Sequence, residues 1–262
     1  MKVKSIAIPI RCVDFSESSQ VVSFFTREQG IVDGIAKGAH RLKNSFQGPL
    51  DLAVLYEMVF VPPKSPGLAI VTEAAVLEGF RGLRSRLDRH VGASHVIEFL
   101  RCAGVAGEPE TGLFDVALET LVALDAAGES DVGLTLARFD TLALTALGLL
   151  GPLDACVECG RSRPDGERPV FLSSRSRGIL CRQCRAEQSI VRGVTIPGEA
   201  MRFWASLTGT APRLGIEPVE GWNRFGARLR TAIALLRTNL LERELVLLQS
   251  SRAWTETLKS LS

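Results

Sequence analysis

Histidine is scarce in this chain of 262 residues, which has only His40, His90 and His95. No HExxH, P-loop, GxSxG or dinucleotide-binding fingerprint occurs. That removes the motif-bearing routes to zinc hydrolysis, nucleotide binding and serine-nucleophile chemistry. Carboxylates are plentiful, but no spacing among them picks out an acid–base or metal pair. Long apolar runs are missing as well. The uncharged stretch Thr141–Leu153 is bounded by Arg138 and Asp140 on one side and Asp154 on the other. A membrane span needs about 20 apolar residues, so this stretch reads as a buried helix and no membrane partner is expected. Met1-Lys2-Val3-Lys4 leads into alternating residues, which is not a secretory leader. The expectation is therefore a chain that stays in a reducing cytoplasm, where paired cysteines more often bind metal than form disulfides. Internal repeats and low-complexity tracts are absent.

What is present is ordinary for a globular protein: 46% hydrophobic and 23% charged residues. The chain is long enough to bury a core without disulfide staples. Its charge is uneven, at −5 over residues 81–155 and +4 over 156–192. An acidic middle beside a basic cysteine segment points to distinct surfaces for distinct partners; the alternative is scatter on solvated faces.

The first 80 residues read as β structure. Lys2–Ile10 alternates, Val21–Thr26 is rich in β-branched and aromatic residues, and Ile31–Ala36, Leu52–Val61 and Leu68–Glu73 follow. Five short strands punctuated by glycine and proline predict a small barrel or sandwich. An OB-type barrel fits, and spacing alone does not separate it from an SH3-like one. After Gly79 the apolar period lengthens. Leu83, Leu87, Val91, His95 and Phe99 form one helical stripe. Leu113, Ala117, Leu121 and Leu124 form a second, and Leu134, Phe139, Leu142, Ala146 and Leu149 a third. Met201, Trp204 and Leu207, then Trp222, Phe225, Leu229, Ile233, Leu236 and Leu240, mark two more, with Arg224, Arg228 and Arg237 off the last stripe. The expected class is α+β: an N-terminal five-stranded OB-type barrel over residues 1–80, then a helical domain over 81–262 with a zinc module at 154–192.

Cys156-Val-Glu-Cys159-Gly160 and Cys181-Arg-Gln-Cys184 are two CxxC knuckles. Each such turn places two thiolates on one ion, and the second pair closes the tetrahedron. Four cysteine ligands leave no open position, so the expected zinc is structural and the protein is not expected to be an enzyme. A redox CxxC needs one pair and a βαβ setting, and an Fe–S cluster is the less favoured occupant. Arg161, Arg163, Arg168, Arg175, Arg177, Arg182 and Arg185 surround the knuckles. Their forks suit phosphate oxygens; the alternative is a solvated buttress for helices.

A second basic cluster lies between the third and fourth strands: Lys37, His40, Arg41 and Lys43 around Gly38, with Arg27 nearby. Cations in an OB loop track a nucleic-acid backbone, whereas a solvated loop needs no ligand. Stacking aromatics are few. Phe15, Phe24, Phe25, Phe46, Tyr56 and Phe60 are the candidates, and at least half must be core.

The pattern as a whole resembles the bacterial RecO family. Phe25-Thr26-Arg27-Glu28-Gln29-Gly30, Ala36-Lys37-Gly38-Ala39 with the basic run, and Ser45–Leu50 look like its N-terminal signature. Glu98-Phe99-Leu100, Leu113-Phe114-Asp115, Arg138 through Gly148, Leu153 through Gly160, Phe171 through Gly178, and the pair Cys181 and Cys184 continue the likeness over roughly residues 1–240. The resemblance implies a DNA-repair and recombination mediator that binds single- and double-stranded DNA and anneals complementary strands. It also implies RecR as a partner, loading of the RecA recombinase onto DNA coated by single-strand binding protein, docking of that protein's C-terminal tail, and a nucleoid-associated place in the cytoplasm. An interaction scaffold with a structural zinc and no DNA role is the alternative from another class.

Overall fold

The computed structural model describes residues 1–41, 45–46, 48–129, 131–162, 169–188, 192–209 and 218–240. Alternation in the N-terminal stretch resolves into five strands: β1 (Val3–Ser16), β2 (Ser19–Thr26), β3 (Gly30–Ala36), β4 (Leu55–Val61) and β5 (Ala69–Glu78). They close in the order β1-β2-β3-β5-β4. Every pair is antiparallel except β3 with β5, where Gly34, Ile35 and Ala36 face Ala69, Ile70 and Val71. A meander contains no parallel neighbours, so this is the Greek-key, OB-type closure. Inward residues such as Val22, Phe24, Ala36, Met58, Phe60 and Val71 fill the barrel. The fourth strand begins at Leu55, not Leu52, because Ala53 turns the chain with a φ of 52°.

A short 3₁₀ turn (Arg81–Arg84) leads to α1 (Leu87–Ala103) and α2 (Thr111–Ala126). The expected first stripe holds in part. Leu83 is buried but lies before the helix, Leu87, its first residue, is 56% exposed and Val91 is half-buried, while His95 and Phe99 are buried together with Val96 and Leu100. The second stripe is buried as its period implied. Phe114 of α2 stacks on Phe25 of β2 with ring centroids 6.2 Å apart. Gly30 opens β3 at a φ of 66°, and a Cβ there would lie 2.4 Å from the Val105 carbonyl, so only glycine fits the approach. These contacts join barrel, α1 and α2 into one compact unit, Met1–Ala126, and the second unit begins at Ala127. Residue 80 is where strand gives way to helix; the boundary between units lies after α2.

The second unit comprises α3 (Val132–Ala146), β6 (Val170–Ser173), β7 (Gly178–Leu180), α4 (Arg182–Ala186), β8 (Gly193–Ile196), α5 (Gly198–Leu207) and α6 (Pro218–Leu240). The three strands form an antiparallel sheet in the order β7-β6-β8. The uncharged stretch 141–153 is not a single helix, since α3 stops at Ala146 and Gly148 turns the chain at a φ of 66°. Ala146 is accordingly exposed and Leu149 lies past the helix end. Trp222, Phe225, Leu229, Ile233 and Leu236 of α6 are buried. Arg224 and Arg228 are exposed, but Arg237 is 3% exposed and pairs with Asp140 of α3, itself 5% exposed, at 2.5 Å. Position 237 follows Ile233 by one helical turn, so it shares the buried face, and the facing carboxylate is what makes a cation tolerable there. No described helix is long and apolar enough to cross a membrane.

Candidate metal centre and nucleic-acid surface

The first knuckle is a miniature hairpin. Ala155 bridges Ser162, the Cys156 N–H donates to the Arg161 carbonyl at 3.0 Å, and Gly160 turns at a φ of 67° to donate to Cys156 at 2.9 Å. The second knuckle ends β7 and starts α4, where the Arg185 N–H donates to the Cys181 carbonyl at 3.0 Å. The Val157 N–H donates to the Ile179 carbonyl at 3.0 Å and holds the two knuckles together. The result brings together the four cysteines that the spacing picked out. The sulfurs of Cys156, Cys159, Cys181 and Cys184 all lie within 4.8 Å of one another, and Cys159 and Cys181 Sγ are 3.9 Å apart.

The donor set fits a tetrahedral soft-ligand ion. Metal–sulfur bonds of about 2.3 Å put the edges of such a tetrahedron near about 3.8 Å. The backbone prepares the sulfurs for anionic charge: N–H groups of Cys181 and Cys184 point at Cys156 and Cys181 Sγ at 3.3 and 3.4 Å. Burial pushes the Cys156 thiol up, but N–H donation from Cys181, Cys159 and Glu158 outweighs it and brings the thiol down to about 6. Cys184 goes the other way, to about 12, because its thiol donates to Cys181 and is partly desolvated. Four adjacent sulfurs cannot all ionise unaided, and a divalent cation in place of that last proton resolves the conflict. The cluster could therefore hold one metal ion, with Cys156, Phe171 and Leu180 as the small core beneath it.

Arg161, Arg175, Arg177 and Arg182 are all exposed around this centre, and none pairs with a described carboxylate. Arg185 lies over the Phe171 ring, 3.9 Å from its centroid. Arg163 and Arg168 lie outside the described residues. Arg161, Arg175, Arg177 and Arg182 thus form a cluster of guanidinium groups without a carboxylate partner among the described residues.

On the barrel, the basic loop is tied to the β1–β2 turn. The His40 N–H donates to the Ser18 carbonyl at 3.2 Å, and the Gly38 N–H donates to Ser19 Oγ at 3.4 Å. His40 Nε2 lies 2.9 Å from Asp14 Oδ1. Lys37 and Arg41 are exposed beside it, and Lys43 lies outside the described residues. Arg27 is placed elsewhere. Its guanidinium meets Asp115 of α2 at 2.9 and 3.0 Å, so its charge is already balanced. Of the six candidate stacking aromatics, five are core and Phe15, 66% exposed near the β1–β2 turn, is open to a ligand. Arg11 and Lys64, which the sequence pattern did not single out, are also exposed and unpaired with any described carboxylate.

The comparisons agree with this geometry. Residues 1–80 match the family described as recombination protein O N terminal, and residues 84–198 match recombination protein O C terminal. The chain is 34% identical over 184 residues to a protein of Rhodopirellula baltica named DNA repair protein RecO, covering 70% of this chain and 67% of that one. A protein of the same name from Anaeromyxobacter dehalogenans is 34% identical over 183 residues, covering 70% of each chain. One from Halalkalibacterium halodurans is 30% identical over 182 residues, covering 69% of this chain and 68% of its own. An OB-type barrel at the N-terminus, a four-cysteine centre in the second unit and matches to both family regions make this chain a member of the recombination protein O family, RecO.

Proposed function

We propose that this protein is a DNA-repair mediator that binds single- and double-stranded DNA and anneals complementary strands. With RecR, it helps load RecA onto DNA coated by single-strand binding protein, whose C-terminal tail docks on it. The observation that carries the DNA-binding part is the set of exposed arginines around the four-cysteine centre that have no carboxylate partner among the described residues. Exposed guanidinium groups without carboxylate partners are what a phosphate backbone requires. Lys37 and Arg41 supply a second positive surface on the barrel. The four-cysteine centre holds zinc, which cross-links the two knuckles and leaves no coordination position for substrate. The protein acts by binding, without a catalytic step, in the cytoplasm at the nucleoid. Annealing needs only screening and alignment of two polyanions. Family membership is what supports RecR, RecA and tail docking, and each is tested by pull-down with the purified partner.

The experiment is binding of a fluorescent single-stranded oligonucleotide across a salt series, with zinc assayed on the same sample. About one zinc per chain and steep salt dependence are expected. The double variant Lys37→Gln/Arg41→Gln should flatten the slope by about 0.7 for each phosphate that is no longer neutralised. A protein with its zinc and no DNA binding at low salt overturns the reading.

A further inference from the structure

The four cysteines of the module are not equivalent to a reagent in solution. Cys156 is 3% exposed and fills the small core, Cys181 and Cys184 are half-buried, and Cys159 is exposed. Cys159 owes its position to the hairpin of the first knuckle, which turns at Gly160 immediately after it. Its surroundings are positive on balance. Arg161, Arg175, Arg177, Arg182 and Arg185 stand against Asp154, Glu158 and Glu187 among the described residues of the module. Two of those carboxylates accept hydrogen bonds from neutral amides, Glu158 from Gln188 and Glu187 from Gln183, each at 3.3 Å. An exposed sulfur in a positive setting is the profile of a cysteine that reacts with oxidants, whereas a structural cysteine in the core is inert.

A second sulfur waits on the other knuckle. Cys159 Sγ lies 3.9 Å from Cys181 Sγ, and Cys181 caps the start of α4. A disulfide spans about 2.05 Å, so closing this gap takes a movement of roughly 2 Å shared between two side chains. Such a bond would join the two knuckles, as the Val157 to Ile179 hydrogen bond already does. A disulfide within one knuckle would tie only residues that the same turn already holds together.

We propose that Cys159 is a peroxide-reactive site, and that its oxidation forms a Cys159–Cys181 disulfide that replaces the metal as the link between the knuckles. The proposal rests on the metal-binding and DNA-binding readings above and adds a modification site to them. The oxidant is hydrogen peroxide. The Cys159 sulfur attacks one peroxide oxygen, the O–O bond breaks, hydroxide leaves and Cys159 becomes a sulfenic acid. The Cys181 sulfur attacks that sulfur, the S–O bond breaks, a second hydroxide leaves and the S–S bond forms. The two sulfurs give up two electrons, the peroxide takes them, and two protons turn the hydroxides into water. Only Cys156 and Cys184 then remain as donors, and two donors do not close a tetrahedral site. They take up protons as the ion is released at unchanged charge. The oxidised module keeps a cross-link and loses its thiolate charge, so its arginines stay gathered for phosphate.

The test is a hydrogen peroxide titration of the full-length protein. Released zinc is read with a chromogenic chelator, free thiols are counted after denaturation, and the disulfide is located by mass spectrometry. About one zinc per chain should appear as two thiols are lost from the six of the reduced chain. Cleavage after Glu158, Arg161, Arg182 and Arg185 puts the four cysteines on separate fragments, so the linked pair is read directly. Duplex affinity of the oxidised protein should stay within about twofold of the untreated protein, whereas chelated, reduced protein should lose roughly tenfold. A Cys156–Cys159 or Cys181–Cys184 disulfide overturns the link between knuckles. Zinc and all thiols retained at a large molar excess of peroxide overturn the reactive site. Oxidised protein that loses as much affinity as chelated protein overturns the disulfide as a replacement for the metal. Untreated protein without zinc overturns the metal reading and this proposal together. Untreated protein with zinc and no duplex binding overturns the DNA reading, while the zinc and disulfide readouts still decide the reactive site.

Discussion

Replacing Arg237 with methionine takes from the buried Asp140 carboxylate its ion-pair partner on α6. Both side chains are almost fully buried, at 3% and 5% exposure, and they span from α6 to α3. Removing one member of a buried pair typically costs about 3–5 kcal/mol, because the remaining charge keeps its desolvation penalty and loses its partner. With a urea dependence of about 1–3 kcal/mol per molar, a loss near 4 kcal/mol moves the unfolding midpoint by roughly 2 M. The indoles report on the right region. Trp204 is buried and donates from Nε1 to Thr141, the residue after Asp140, and Trp222 is buried on α6. Urea titration followed by their fluorescence gives the measurement. The double variant Asp140→Leu/Arg237→Met removes both penalties and is expected to be more stable than Arg237→Met alone. A midpoint shift below about 0.5 M for Arg237→Met refutes the reasoning, and so does a double variant less stable than the single.

Three further outcomes follow from particular contacts. The Arg27 guanidinium donates to Asp115 and holds its carboxyl below the ordinary carboxylate range. That contact therefore contributes stability above the ordinary carboxylate pKa and loses it as pH falls through the depressed value. The melting difference between wild type and Arg27→Gln should vanish in acid, and Arg27→Gln should leave DNA affinity near neutral pH almost unchanged. Gly30→Ala forces a Cβ to within 2.4 Å of the Val105 carbonyl at a φ of 66°. A destabilisation of about 2 kcal/mol or more in thermal melting is expected, and a neutral result would mean that the approach of β3 to Val105 relaxes freely. Cys156→Ser and Cys159→Ser should both lose tightly held metal by elemental assay. Cys156→Ser should melt lower, since Cys156 also fills the module core while Cys159 is exposed.

Legibility in the sequence followed the range of the interactions. The four-cysteine centre was readable because its two knuckles, four residues each, are local and their spacing is diagnostic. The barrel strands were readable from alternation, but their order was not. The parallel pairing of Ile35 with Ile70 is a long-range fact, and it alone separates the OB-type closure from a meander. The same limit hid which side of β2 faces the core. Both faces of β2 are apolar, at Val21 and Phe25 on one and Val22 and Phe24 on the other, so composition cannot tell inside from outside. Arg27 and Arg237 looked like surface cations because their partners, Asp115 and Asp140, are 88 and 97 residues away. The first helical stripe held at His95 and Phe99 but not at Leu87, because nothing local fixed the start of α1 there.

A metal ion at the four cysteines would alter both the shape and the charge of the module, and the two act in opposite directions on the proposed DNA binding. Four thiolates on a divalent ion carry two net negative charges, whereas four neutral thiols carry none. Metal loading therefore makes the arginine-bearing segment less positive. If phosphate attraction were all that the module supplied, metal-free protein would bind DNA at least as tightly. The packing argues the reverse. Among the described residues the core packed against the cysteines is Cys156, Phe171 and Leu180, and the strands span three or four residues each. A module this small gains its shape from a cross-link, so a metal bound by the four cysteines would keep Arg161, on the first knuckle, and Arg182, on the second, on one surface. Chelation should therefore lower duplex affinity on the order of tenfold and flatten the salt slope, as dispersed arginines no longer engage phosphates together. Tighter binding after metal removal, with zinc loss verified on the same sample, would show that charge and not geometry governs this surface.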